Sequence, residues 1–114
     1  MSPHDPKALK LRLEELADDL PFEVTTRPIM GGVIGFADGR TFVSLSTGGF
    51  GVKLLPADRE RALARPGATG MRHSPEEPES KSYITFSDAD TADDGFLLEW
   101  LELAARTAPA KKAR

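Results

Sequence analysis

The sequence predicts an α+β fold, in which an antiparallel meander sheet of four to five strands is packed by amphipathic helices from the N- and C-terminal ends of the chain. Three observations predict it: apolar residues recur at helical spacing near both ends, glycine-containing turns divide the middle, and the segments between those turns alternate apolar and polar residues. The predicted order of elements is α-β-β-β-β-α-β-α. We expect the helices on one face of the sheet, because an apolar sheet face must be covered by another layer.

The first helix has a clear start and stop in the sequence. Asp5 can cap it, Pro6 suits its first position, and Pro21 ends it. Its apolar stripe consists of Leu9, Leu13, Leu16, Ala17 and Leu20. Leu11 falls outside this stripe, so we expect it to be exposed or to meet a neighbouring element.

The segment 30–55 holds seven of the ten glycines and is typical of an antiparallel meander. Asp38-Gly39 predicts a type I′ hairpin, because both central positions of that turn need positive φ. A first strand is expected at 22–26, ended by Arg27-Pro28, since proline and the residue before it disfavour continued pairing.

The hairpin joins strands expected at 33–37 and 40–46, and a second tight turn leads into a strand at 50–55. Successive side chains of a strand point to opposite faces. Lys53 therefore lies opposite the apolar residues of its own strand, toward solvent or a cleft.

The rest of the chain predicts two helices, one strand and one irregular segment. A short helix is expected at 56–64 and a strand at 83–87, with the polar segment 67–82 between them as a mobile or functional loop. Thr91 is the expected N-cap of the final helix. The apolar stripe of that helix contains Leu97, Trp100, Leu101 and Ala104.

The 114 residues suffice for one domain with its own core, expected over 1–107 and followed by a flexible basic tail at 108–114. The absence of cysteine excludes disulfides, thiol catalysis and cysteine-bound zinc. The sequence has no signal-peptide pattern and no apolar stretch of the roughly 20 residues that a membrane span needs. We therefore expect a soluble, cytoplasmic protein without a membrane partner.

Residues that could carry out catalysis are scarce. The two histidines, His4 and His73, lie near the N-terminus and in the polar segment, and the spacing identifies no relay partner for either. The run 31–35 lacks the pattern of a dinucleotide fingerprint or a P-loop, so it predicts strand entry rather than phosphate binding. No metal-ligand motif occurs. We expect no catalytic, cofactor-binding or metal-binding residue, and no enzyme.

Basic residues gather in the middle of a chain whose net charge is −3. The candidate partner surface consists of Lys53, Arg59, Arg61, Arg65, Arg72 and His73. The simpler interpretation is that these basic residues form an ordinary solvated surface without a partner. Direct nucleic-acid binding through the four arginines, with base stacking on Phe36 or Phe42, is a further hypothesis that the net charge does not support. A small-molecule pocket between sheet and helices is another.

The residues from about 22 to 106 resemble the TfoX/Sxy N-terminal domain family. The resemblance is carried by Met30, Gly31, Gly32, Gly35, Asp38, Gly39, Phe42, Lys53, Tyr83 and Trp100. The phenylalanine of the family's Met-Phe-Gly-Gly entry is missing, since Met30 is followed directly by Gly31. We interpret these marker residues as shaping the fold rather than performing chemistry.

The resemblance implies a small binding or regulatory module, of a stand-alone type without the C-terminal half that competence regulators of this family carry. The family has no known catalytic residues that could be assigned to this sequence. The resemblance covers only the first half of the two-domain relatives, so it does not imply their role in competence. We expect a non-enzymatic module that acts through protein–protein contacts at the outer face of the meander around Lys53 and at the segment 71–81. The partner is another protein or a second copy of this chain, since the exposed edge of a meander can pair.

Overall fold

The computed structural model describes residues 5–29, 32–72 and 78–107, and it confirms the α+β class. Within these residues the predicted order of elements holds, with one added strand and a divided last helix. The elements are α1 (Pro6–Ala17), β1 (Val24–Ile29), β2 (Gly32–Ala37), β3 (Arg40–Ser46), β4 (Gly49–Lys53), α2 (Pro56–Leu63), β5 (Thr69–Gly70), β6 (Tyr83–Thr85), α3 (Asp88–Ala92) and α4 (Asp94–Thr107). The tail predicted at 108–114 lies outside the described residues.

The six strands form one antiparallel sheet in the order β1-β2-β3-β4-β6-β5. This sheet is larger than the predicted four to five strands, because Thr69–Gly70 pairs with β6. Those two residues belong to the segment that the sequence predicted as an irregular loop. A strand of two residues is too short to show any periodicity, so the pattern could not identify it.

The Asp38-Gly39 turn connects β2 and β3 as predicted. Asp38 and Gly39 both have positive φ, at 50° and 85°, as a type I′ turn requires. The same turn fixes the start of β1: the Glu23 backbone N–H donates to Asp38 Oδ1 at 3.0 Å, and the Asp38 backbone N–H donates to the Glu23 carbonyl at 2.9 Å. One short turn therefore aligns three strands.

The prediction that Arg27-Pro28 ends the first strand is wrong, since β1 pairs with β2 along its whole length. Hydrogen-bonded and non-bonded pairs alternate along an antiparallel ladder. The bonded pair of Glu23 and Asp38 therefore places Pro28 in a non-bonded pair with Val33. The nitrogen of Pro28 faces the free edge of the sheet, where no ladder bond is lost, and an edge strand tolerates proline in that position.

The helices α1 and α4 pack on one face of the sheet and form the core with it. Their buried residues are Leu9, Leu13, Leu16, Leu97, Trp100, Leu101, Ala104 and Ala105. Leu11 is 63% exposed, in agreement with its position outside the predicted stripe. The close approach of α1 requires a glycine in β2, because a Cβ at Gly35 would collide with the side chain of Val43 and press on Leu13.

Phe42 belongs to the core and not to an open sheet face. The register between β2 and β3 shifts between Gly35 and Phe36, which leaves Phe42 as an extra residue in β3. Phe42 is fully buried and meets Phe22 edge-on, with the ring centroids 5.6 Å apart. Phe42 therefore cannot stack on a base in this fold, as the nucleic-acid hypothesis had allowed.

The predicted final helix is in fact two helices, α3 and α4. Ser87 caps α3, since its Oγ accepts the Asp90 backbone N–H at 3.1 Å. Asp93 precedes α4 with an extended backbone, and its carboxylate accepts the Phe96 backbone N–H at 3.1 Å. The prediction that Thr91 is an N-cap is wrong, because Thr91 lies inside α3 and its hydroxyl donates to the Ser87 carbonyl at 2.9 Å.

Leu13→Ala should lower the free energy of unfolding by about 2–5 kcal/mol, because it opens a cavity at a fully buried contact between α1 and the sheet. Leu11→Ala is the matched control on the same helix and should change the free energy of unfolding by less than about 0.5 kcal/mol. Urea unfolding of both variants measures the difference. Equal losses for the two substitutions would contradict the placement of α1.

Candidate functional site

We call the sheet surface opposite α1 and α4 the outer face. Side chains alternate along a strand, and residues directly opposite on neighbouring strands share a face. In the described strands the side chains of the outer face are Thr25, Arg27, Ile29, Ile34, Phe36, Thr41, Ser44, Ser46, Lys53, Thr69, Tyr83 and Thr85. None of these side chains is acidic, although the chain as a whole has a net charge of −3.

Part of the outer face is covered by the segment that follows β5. Met71 is only 1% exposed, and its sulfur occupies the space where a side chain on Gly51 would stand. The Ser80 backbone N–H donates to the Met71 carbonyl at 2.7 Å, and Glu79 Oε1 accepts the Gly70 N–H at 3.1 Å. The described parts of the predicted loop are therefore held against β4, and none of the residues that the structure describes covers the outer face toward β1 and β2.

Lys53 lies on the outer face at the end of β4, opposite the apolar residues of its own strand, as the sequence predicted. Its Nζ donates to Thr41 Oγ1 at 3.2 Å, and Tyr83 pairs with Lys53 across β4 and β6. Burial raises the pKa of the Tyr83 phenol above its usual value, and a hydrogen bond with the Thr41 side chain partly offsets that rise. Thr41 thus links the lysine and the tyrosine, a role that its sequence context did not indicate.

Arg27 and Phe36 form the second group of the outer face. The guanidinium carbon of Arg27 lies 5.8 Å from the centroid of the Phe36 ring, within the range of a cation–π contact. Arg27 is exposed and the Phe36 ring is half-buried. Phe36 pairs with Thr41 in β3, so this stack adjoins the group around Lys53.

A cavity of about 490 Å³ opens on this part of the outer face, beside the Asp38-Gly39 turn. We call it the turn cavity, and it is lined by Thr25, Thr26, Arg27, Phe36, Gly39, Arg40 and Thr41. Sequence reasoning missed Arg27 and Arg40 as site residues. The hairpin register could have placed Phe36 beside Thr41, but the first strand was expected to end before Arg27.

The four arginines of the predicted partner surface are engaged within the fold. Arg61 pairs with Asp58 at 2.9 Å and Arg65 with Asp90 at 2.8 Å, and both guanidinium groups lie over aromatic rings of α4. Arg72 pairs with Glu79 at 3.4 Å.

Arg59 donates from Nη2 to the Ser80 carbonyl at 3.3 Å. Within the described residues, none of the contacts of these arginines involves Lys53. His73 lies outside the part of the chain that the structure describes.

Several marker residues of the resemblance occupy structural positions, whereas Lys53 and Tyr83 lie on the outer face. Gly32 and Gly35 lie where a side chain would meet neighbouring strands or α1, and Trp100 packs in the core beside Phe86 with ring centroids 5.2 Å apart. Met30 and Gly31 fall outside the described residues.

Over 5–29, 32–72 and 78–107 no group of three or more His, Cys, Asp or Glu side chains is arranged to hold a metal ion. Among the helices in those same ranges, none has the length and apolarity to cross a membrane.

Comparison of the chain with protein-family models, with curated proteins and with solved structures finds no match. The resemblance to the TfoX/Sxy N-terminal domain therefore depends on the quoted residues alone.

Tyr83 provides a titration probe of the outer face, because it is the only tyrosine of the chain. Its absorbance should titrate above pH 10, with a pKa higher than the usual value of about 10, since burial disfavours the phenolate. Below pH 10 the phenol is neutral in both the folded and the unfolded chain, and its contribution to the free energy of unfolding is complete. As the pH rises past 10 the unfolded chain ionises first, so the free energy of unfolding falls until the folded phenol also ionises.

The control is Tyr83→Phe, which should lose both the absorbance change and this part of the alkaline destabilisation. A Tyr83 pKa at or below 10 would contradict the half-buried position of the phenol.

Proposed function

We propose that this chain is a non-enzymatic binding or regulatory module that acts through protein–protein contacts, with the outer face as its contact surface. The observation that carries the proposal is the uncovered part of that face. Ile34 and Phe36 are half-buried there, with the exposed Arg27 beside them, on a sheet whose α1 and α4 pack against the other side.

The composition of this surface suits a protein partner. Aromatic residues and arginine are enriched at the centres of protein interfaces, where a ring fills a pocket and a guanidinium pairs with polar groups. Phe36 and Arg27 supply both elements, and Thr25 and Thr41 add hydroxyl groups around them. The resemblance to a family of small regulatory modules points in the same direction.

The nucleic-acid alternative has less support from the arrangement of charge. Affinity for nucleic acid comes mainly from cations that replace counterions on phosphates. Arg61, Arg65 and Arg72 each have a carboxylate partner, at 2.9, 2.8 and 3.4 Å. These cations would have to give up an internal ion pair to meet a phosphate.

A second copy of the chain is one candidate partner within the same proposal, and the cytoplasm is the proposed location. β1 is an edge strand, and the ladder alternation directs the N–H groups of Val24 and Thr26 outward. Pro28 offers no N–H at the next outward position, which limits how far another strand can pair along this edge.

Site-specific photo-crosslinking tests the proposal directly. Benzoylphenylalanine is placed at Phe36 or at Lys53 on the outer face, and at the exposed Leu11 on α1 as a control. After irradiation in lysate of the source cells, both outer-face positions should yield the same protein adduct, and the control position should not. The adduct is identified by mass spectrometry.

Three outcomes would count against the proposal. If neither outer-face position yields an adduct, the outer face is not the contact surface. If Leu11 yields the same adduct, the capture is unspecific. An adduct that disappears on nuclease treatment would favour nucleic-acid binding instead.

A further inference from the structure

Two cations of the outer face, Arg27 and Lys53, have no carboxylate partner within the described residues. Arg27 lines the turn cavity, and Lys53 bonds to Thr41 in its lining. Arg40 also lines the turn cavity without an ion pair, although its pairing with Ala37 places it on the opposite face of the sheet from Thr41. Some described cations elsewhere, such as Arg59, lack a carboxylate partner too, but on the outer face no acidic strand residue offsets the positive charge.

The groups around the turn cavity match the chemistry of a carboxylate. A guanidinium presents parallel N–H donors that fit the two oxygens of a carboxylate, and arginine is favoured wherever such planar recognition occurs. Thr25 and Thr41 add hydroxyl groups to the lining, and the Phe36 ring supplies an apolar floor. The methylene groups of an acidic side chain can pack on that ring while its carboxylate reaches Arg27.

We propose that the turn cavity and the adjoining Lys53 form a docking site for an extended acidic segment of the partner protein. This inference rests on the proposed function and names the chemistry of the partner. The charge complementarity carries it: the outer face has no Asp or Glu among its described strand residues, while it holds an exposed arginine and a half-buried lysine without ion pairs.

The spacing of the cations sets the spacing expected in the partner. Arg27 is opposite Ile34, Ser44 and Gly51 on the successive strands, and Lys53 lies two residues beyond Gly51. The two cations are thus about 14 Å apart across the strands and about 7 Å apart along them, which gives about 16 Å in all. Residues four apart in an extended chain are separated by about 14 Å and point to the same side, and the long side chains of both partners span the remainder. A segment crossing the strands would therefore present acidic residues at positions i and i+4.

The limited extent of the uncovered surface favours a short peptide over a nucleic acid. Arg40 also lines a neighbouring cavity of about 230 Å³, whose lining includes Asp38 and Glu102. A phosphate backbone that continued past Arg40 would meet two carboxylates, and a long acidic segment would meet the same repulsion. A short peptide with two acidic residues needs only the uncovered part of the outer face and does not reach them.

Amide NMR titration with defined peptides tests the inference. The probe is an acetylated, amidated heptapeptide of sequence Ser-Glu-Val-Thr-Val-Glu-Ser, and the comparison peptide has both Glu replaced by Lys. The acidic peptide should shift the amides of Thr25, Phe36, Thr41 and Lys53, and it should bind at least tenfold more tightly than the lysine peptide.

Charge reversal supplies the matched variants. Arg27→Glu and Arg40→Glu should each weaken binding of the acidic peptide at least fivefold, whereas Lys7→Glu, the same change on α1, should leave it unaltered. Arg27→Ala and Arg40→Ala replace the reversals if either one disturbs the amide spectrum as a whole.

Several results would overturn the inference. They are the absence of shifts at millimolar peptide, equal binding of the lysine peptide, insensitivity to the Arg27 and Arg40 variants, or larger shifts with ten-residue oligothymidylate. If the crosslinks from Phe36 persist while the acidic peptide fails, the acidic-segment inference falls and the protein-contact function stands. If the peptide binds but Phe36 yields no protein crosslink, the protein-contact function falls instead.

Discussion

The contact of α1 and α4 with one side of the sheet is the constraint on which the rest of the structure depends. Gly35 has no side chain, and this allows Leu13 and the rest of α1 to approach the strands closely. The extra residue in β3 directs Phe42 and Val43 into the same core, where both are fully buried. Both long helices bury their apolar residues on this side of the sheet. Any cover of the opposite side must therefore come from other segments.

The outer face has one part that is covered by another segment and one part that is not. Over β4, Met71 lies in the space left by Gly51, and hydrogen bonds from Gly70 and Ser80 hold its segment in place. Over β1 and β2 no comparable cover exists among the described residues, whereas Ser44 and Ser46 on the same face of β3 are buried. Arg27 and Phe36 lie on this uncovered part, next to Thr41 and Lys53. A half-buried ring with unpaired cations does not optimise stability, and departures of this kind are expected at functional sites.

The sequence was sufficient for features that depend on local chemistry. Leu9, Leu13 and Leu16 of the predicted α1 stripe and the Asp38-Gly39 turn were predicted correctly, because spacing and positive φ are properties of neighbouring residues. The end of α1 was predicted too late, since the helix stops at Ala17 and Leu20 is buried outside it. The N-cap at Thr91 was wrong, since the extended backbone of Asp93 divides the last helix. Pro28 was misjudged because its effect depends on whether its nitrogen faces a partner strand or a free edge, which only the sheet order decides.

The candidate site depended even more on long-range pairing. Lys53 was singled out from alternation within its own strand, but Arg27 and Phe36 lie on the same face as Lys53 only through the pairing of β1, β2 and β3. The arginines that clustered in sequence, Arg61 and Arg65 among them, are instead held by carboxylates and by rings of α4. Closeness in sequence therefore did not predict which side chains meet, because the register of the hairpin decides that Phe36 lies beside Thr41.

The central claim is that the uncovered outer face is kept for contact with a partner and contributes little to the core. Urea unfolding of Phe36→Thr tests it most directly, with Phe42→Thr as the control for a core phenylalanine of the same sheet. The account predicts that Phe36→Thr changes the free energy of unfolding by less than about 1 kcal/mol, as for a surface substitution that loses one weak cation–π contact. The control should lose about 3–5 kcal/mol, as large core truncations do. A loss of that size for Phe36→Thr would contradict the claim, because the outer face would then belong to the core.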